Sequence, residues 1–259
     1  MLLKCPLSIP DFFAAFYQHK EDQTLRLSLH DMLIDKEENE IPGFTFFRNA
    51  IRGYEEKLSE QPAVSKGDIP FYRENQSRLI GPDLIPFVLS FYQEDSSYQP
   101  IGPCVFLSFE LDDLIDYCID ENLSIARCKY DAAENTAMLE DKLDREYAKI
   151  FFDQEYTGFT ADSNFVPLLY KALIEMETPE KTTEQEWRIS YLESPEDAEF
   201  TCNDGVIESV KHICLPFSAV KQIEIYPDYK ENKALYTSII NLLKNVHLSP
   251  ERLLVGMIE

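Results

Sequence analysis

Two short apolar runs, Ile85-Pro86-Phe87-Val88-Leu89-Ser90-Phe91 and Cys104-Val105-Phe106-Leu107-Ser108-Phe109, are separated by twelve residues that include Pro100, Gly102 and Pro103. Aromatic and branched residues dominate both runs, and turn formers bound them. They therefore read as central strands joined by a loop. Around them, strands and helices follow in irregular order. Leu25-Arg26-Leu27-Ser28-Leu29 alternates as a half-buried strand. Phe47, Ile51, Tyr54 and Leu58 form the stripe of an amphipathic helix. Ser8 followed by Pro10-Asp11 reads as the N-cap and first turn of a short helix. Helices are also expected over 110–121, from Asp131 onward, over 165–176 and over 230–245, with strands over 123–130, 210–215 and 220–226. This order lacks a steady β-α-β-α rhythm. It predicts one α+β domain over 1–259: a mixed, mainly antiparallel central sheet flanked by helices, with an irregular loop over 60–82.

Bulk composition narrows the class. The chain has 259 residues, 44% of them apolar, enough for a substantial core. No apolar run reaches the length of a membrane helix, and the N-terminal residues lack the pattern of a signal peptide. A cytoplasmic protein is expected. The six cysteines form no C-x-x-C pair and read as buried free thiols, with Cys104, Cys128 and Cys214 on strands and Cys118 on a helix. With 47 acids against 24 bases the formal charge is −23, which repels nucleic-acid phosphates and anionic membranes. Nucleic acid is therefore not an expected partner. A basic protein is the partner this charge would attract. No glycine-rich phosphate loop, G-x-S-x-G elbow or metal-ligand spacing occurs, and His19, His30, His212 and His247 have no partner at informative spacing.

The densest polar motif is Thr183-Glu184-Gln185-Glu186-Trp187-Arg188-Ile189-Ser190. In an extended strand, residues i and i+2 share a face, which would put Glu184, Glu186 and Arg188 together. Ionisable groups so gathered must either pair or do chemistry. Two readings stay open: an ion-pair ladder involving Arg188 or Lys171, with Trp187 filling the core behind it, or a catalytic site.

With Lys171, this block resembles the signature of the bacterial domain-of-unknown-function family 2971. Three further stretches share the resemblance: Leu25 to Glu38, Phe87 to Asp95 and Leu215 to Ile225. The chain departs from that pattern at Ile34-Asp35-Lys36, at Ser96-Ser97-Tyr98-Gln99 and at Lys181. More distantly, the order of a strand with Arg26, a strand with Ser90 and a late Glu-x-Glu is similar to the layout of ADP-ribosyltransferases. That likeness implies NAD as substrate, with Glu186 as the catalytic carboxylate beside an oxocarbenium-like sugar and Glu184 orienting the acceptor. It also implies Arg26 on the pyrophosphate, Ser90 on the ribose and Tyr92 against the base, with Arg188 counted among the ligand-binding groups. A role in phage defence is a further implication of the resemblance. The rival expectation is a non-catalytic interaction or regulatory protein of the defence or toxin–antitoxin kind.

Overall fold

The computed structural model describes residues 1–17, 20–31, 42–59, 84–141, 165–203, 206–226, 233–248 and 253–254. The 60–82 loop, the apolar stripe of the helix from Asp131 beyond residue 141, and the Ile34-Asp35-Lys36 turn lie outside those residues.

Strands and helices mix in the expected way. In chain order they are β1 (Leu2–Ser8), α1 (Ile9–Tyr17), β2 (Thr24–Asp31), α2 (Pro42–Ser59), β3 (Ile85–Gln93), β4 (Cys104–Glu110), α3 (Leu111–Asp120) and β5 (Ser124–Arg127). A helix α4 over 132–141 follows. Then come α5 (Phe165–Ile174), a 3-10 turn (Pro179–Glu184), β6 (Glu186–Glu193), β7 (Glu199–Asn203), β8 (Val206–Pro216), β9 (Gln222–Tyr226), α6 (Lys233–Asn245) and β10 (Leu253–Leu254). Every described strand pairing is antiparallel except that of β10 with β9, so the sheet is mixed and mainly antiparallel.

Strand β3 organises the sheet. One edge pairs with β6 without interruption, from Ile85↔Glu193 to Tyr92↔Glu186. The other edge is shared. Phe87 and Val88 meet Asp31 and His30 of β2, whereas Tyr92 and Gln93 meet Lys4 and Leu3 of β1. Between these contacts β1 peels away toward β4, and β2 arrives from β8. Pro6, two residues past the last β1–β3 pair, has no N–H to give to a ladder. Helix α1 fills the crossover, with Phe12, Ala15 and Phe16 buried. The Ser8 hydroxyl accepts from the Asp11 N–H at 3.2 Å, the expected N-cap.

The core follows strand alternation. Leu3, Cys5 and Leu7 of β1, Leu25, Leu27 and Leu29 of β2, and Phe87, Leu89 and Phe91 of β3 all enter one apolar cluster. Strand β4 is buried on both faces from Cys104 to Phe109, the profile of a central strand. Opposite that cluster, α5 covers the polar face of β3 and β6 and is itself crossed by α2. A side chain at Gly43 would put its Cβ 2.3 Å from the Leu173 carbonyl oxygen, so the crossing requires glycine.

Two strands form where the sequence predicts no element, and one cysteine expectation changes. Residues 2–8 form a strand, although the proline and the lysine within them hide the alternation. The acidic excursion over 193–201 ends in a strand, β7, because its backbone finds a partner in β8. Of the cysteines, Cys5, Cys104, Cys118 and Cys128 are buried and free, but Cys214 is exposed, and Cys128 falls just past β5. Among the described residues, no helix is long and apolar enough to cross a membrane.

Candidate functional site

Strand alternation puts Glu186, Arg188 and Ser190 on the face of β6 opposite the apolar cluster, beside Tyr92 and Ser90 of β3. Glu184 lies off the strand, though near enough for the charges of Glu186, Glu177 and Arg188 to act on it. It ends the 3-10 turn, and Gln185 adopts a left-handed conformation (φ 49°), so the chain reverses before the strand begins. The expected i, i+2 alignment of the two glutamates fails because the strand starts only at Glu186.

The Glu186 carboxylate accepts three hydrogen bonds. Its Oε1 accepts from the Ser90 hydroxyl at 2.6 Å and from Arg188 Nε at 2.8 Å. Its Oε2 accepts from Arg188 Nη2 at 3.0 Å. Arg188 also donates to the Glu177 carboxylate at 2.6 Å and to the Ile174 carbonyl at 2.7 Å. The Glu186 N–H donates to the Tyr130 hydroxyl at 2.7 Å. All three charged residues are buried, with Glu186 only 3% exposed. Burial by itself would lower the Arg188 pKa; Glu186 beside it more than reverses that, and the guanidinium stays protonated. This is a buried Glu–Arg–Glu triad, and Trp187 packs against the core on the opposite face.

Tyr92 is also engaged, its ring stacked on Tyr98 at 3.6 Å and 10°. Burial raises its phenol pKa, and the charge of Glu186 raises it further. Burial likewise raises the Glu184 carboxyl above the usual range. Beside the triad a hollow of about 270 Å³ is lined by Asn122, Ser124, Lys171, Ile174, Ser190, Tyr191 and Leu192, but not by Glu186.

Arg26 lies elsewhere. Where β1 and β2 part, a cleft of about 550 Å³ opens between α1, β2, β7 and β8. Leu89 of β3 lines it, whereas Ser90, one residue on and pointing to the other face, bonds Glu186. Arg26 therefore does not converge with Glu186, Ser90 and Tyr92: it shares their sheet face, but β2 leaves β3 after the His30↔Val88 pair and carries Arg26 away beside β8. Instead it donates to Glu199 Oε2 at 3.1 Å.

The cleft gathers groups that no local motif announces. Asp11, Arg26, Ser28, His30, Glu199, Thr201 and His212 supply its polar lining. Ser28 and His212 are directly opposed across β2 and β8, with Oγ and Nδ1 3.2 Å apart. His212 Nε2 sits 3.6 Å from Glu199 Oε2. Phe200 is 64% exposed at the rim. The only sequence signal for this set was the polar side of an alternating strand, Arg26 and Ser28 between leucines. Their partners lie more than 170 residues away, so spacing could not reveal them. Among the described residues, no group of three or more His, Cys, Asp or Glu side chains is placed to hold a metal.

The chain's polar residues thus divide between a closed triad on one side of β3 and an open cleft on the other. No protein-family model, no curated protein and no solved structure matches this chain.

Proposed function

We propose that this is a ligand-binding protein whose working site is the cleft between β1 and β2, and that the Glu-x-Glu-Trp-Arg block braces the sheet along the other edge of β3. One observation carries the reading: the cleft has a volume of about 550 Å³ and offers ionisable and hydroxyl groups to solvent. That size falls within the range of small-molecule sites, roughly 300–1,000 Å³. Its lining, with Phe200 at the rim, suits a polar small molecule carrying a flat or apolar portion. Burial of Glu186 under three hydrogen bonds supports the bracing role, since a carboxylate serving a transition state must face its substrate. Four buried free thiols fit a reducing compartment, and we place the protein in the cytoplasm. The charge of −23 would favour a basic protein partner on the outer surface.

The test is a thermal-shift screen of nucleotides including NAD, sugar phosphates and carboxylic acids, run on the parent and on Ala14→Trp, which fills the cleft from α1. Ligand saturating at a hundred times its dissociation constant adds about 2.7 kcal/mol to the parent. The reading is wrong if no compound shifts the parent, or if Ala14→Trp responds equally.

A second reading, ADP-ribosyl transfer, draws support from the 2.6 Å contact of Ser90 with Glu186. It requires Glu186 to leave Arg188 when NAD binds. Loss of NAD consumption in Glu186→Gln, at unchanged melting temperature, would favour it.

A further inference from the structure

Within the cleft, Ser28, His212, Glu199 and Arg26 form one chain of polar contacts across β2, β8 and β7. Ser28 Oγ and His212 Nδ1 are 3.2 Å apart, His212 Nε2 and Glu199 Oε2 3.6 Å, and Arg26 Nη2 and Glu199 Oε2 3.1 Å. An ionised carboxylate can only accept, so Glu199, 3.6 Å from Nε2 and just beyond hydrogen-bond distance, favours the imidazole tautomer with its hydrogen on Nε2. That leaves the lone pair on Nδ1 aimed at the Ser28 hydroxyl. A hydroxyl, an imidazole able to take its proton and a carboxylate orienting that imidazole are the three parts that activate a serine. The two ring nitrogens exchange their more common roles here, which the chemistry tolerates: one must accept from the hydroxyl while the other donates to the acid.

The setting separates this relay from a packing contact. The Glu186 triad is sealed; here the Glu199 side chain is 54% exposed, and both Ser28 and His212 line an open cavity. Arg26, two residues before Ser28 on the same strand face, fixes the carboxylate by a charge-assisted bond.

We propose that Ser28 is a nucleophile toward activated acyl groups, such as small esters, with His212 as its general base and Glu199 as a positioning residue. The Oγ–H bond breaks toward His212 Nδ1 as the Oγ–C bond forms at the acyl carbonyl. The tetrahedral intermediate collapses with cleavage of the ester C–O bond, and His212 returns the proton to the departing alcohol. Water then attacks the acyl-serine, again giving its proton to Nδ1, and releases the acid while Ser28 recovers its hydrogen. No oxidant, metal or further reactant enters this balance.

The inference rests on the cleft reading, since the same cavity must admit the substrate. It is tested on the full chain with a fluorophosphonate probe, with the adduct located by peptide mass spectrometry. Labelling at Ser28 is expected in the parent. It should vanish in Ser28→Ala, slow by about 10²-fold or more in His212→Gln, and persist in Ser90→Ala, with melting curves confirming that each variant folds. For Glu199→Gln, the rate should fall and its rising pH limb should move to lower pH, because the imidazolium loses its carboxylate; a purely structural role would leave that limb in place. Arg26, His30, Asp11 and Glu208 are the other ionisable groups around the cleft or His30, and this variant leaves all four unchanged. No labelling of a parent that still binds ligands in the thermal screen overturns the relay and leaves the cleft standing. Labelling that survives Ser28→Ala overturns it as well. Absence of both ligand shifts and labelling removes relay and cleft together.

Discussion

Glu186 and Glu199 are both strand glutamates paired to an arginine, yet the Glu186 side chain is 4% exposed and that of Glu199 54%. The Glu186 pair is local: Arg188 lies two residues on, along the same strand face, and α5 with the segment after it closes over both and adds Glu177. The Glu199 pair is assembled from different strands at the one place where β3 lacks a continuous neighbour. A buried ion pair must satisfy every donor and acceptor, because desolvating the charges costs several kcal/mol per ion. Meeting that demand turns the Glu186 carboxylate toward Ser90 and Arg188 and away from solvent. A half-exposed pair faces no such demand and can exchange partners with a ligand. Ionisable residues crowded together in sequence thus mark a brace here, and dispersed ones mark an open site.

The contrast can be broken most sharply at Arg188. Arg188→Met leaves Glu186 buried without its cation and Glu177 with only Lys181 at 3.6 Å, and should lower stability by about 3–5 kcal/mol, read from urea unfolding. A loss under about 1 kcal/mol would mean the triad is not the brace described. Ser90→Ala removes one charge-assisted bond to Glu186 and should cost roughly 1.5–3 kcal/mol, again by urea titration.

Alkaline pH gives a third, smaller effect. Burial pushes the Tyr130 phenol up to about 12, against the lowering effect of its bond from the Glu186 N–H. A folded pKa above the unfolded one favours the protonated native state. Its contribution is therefore intact below pH 10 and fades as pH climbs from 10 toward 12. Cys118, raised by burial from 9.0 to about 12, acts in the same direction from pH 9 upward. Stability measured across that range should fall, and Tyr130→Phe should flatten its upper part. A flat parent profile would mean that the Tyr130 hydroxyl is not held at the triad.

Glu199→Gln should produce the least change in stability, below about 1 kcal/mol, since the pair is largely solvated. A drop approaching that of Arg188→Met would erase the distinction between the two glutamates.

Much of the architecture was legible locally. Alternation at Leu25–Leu29, the two apolar runs at 85–91 and 104–109, and the Ser8 cap each depend on contacts within a few residues, and each appears where expected. Strand β1 was harder to read because Lys4 and Pro6 interrupt its leucines, and β7 because acidic residues surround a strand defined only by its partner. At the site, the pairing of Glu186 with Arg188 followed from i, i+2 geometry. The placement of Glu184 did not, because a left-handed residue at Gln185 is invisible in composition.

The sequence by itself determined the mixture of strands and helices, the burial of its alternating apolar residues and the strongly acidic surface, all set by short-range periodicity and composition. Only the tertiary structure decided which polar residues meet. Splitting the outer edge of β3 between β1 and β2 carried Arg26 away from Glu186 although both lie on the same sheet face. The same split brought Ser28 within 3.2 Å of a histidine 184 residues away. Strand order and register make those choices. They arise from the sum of many pairings along the chain, which no single motif encodes.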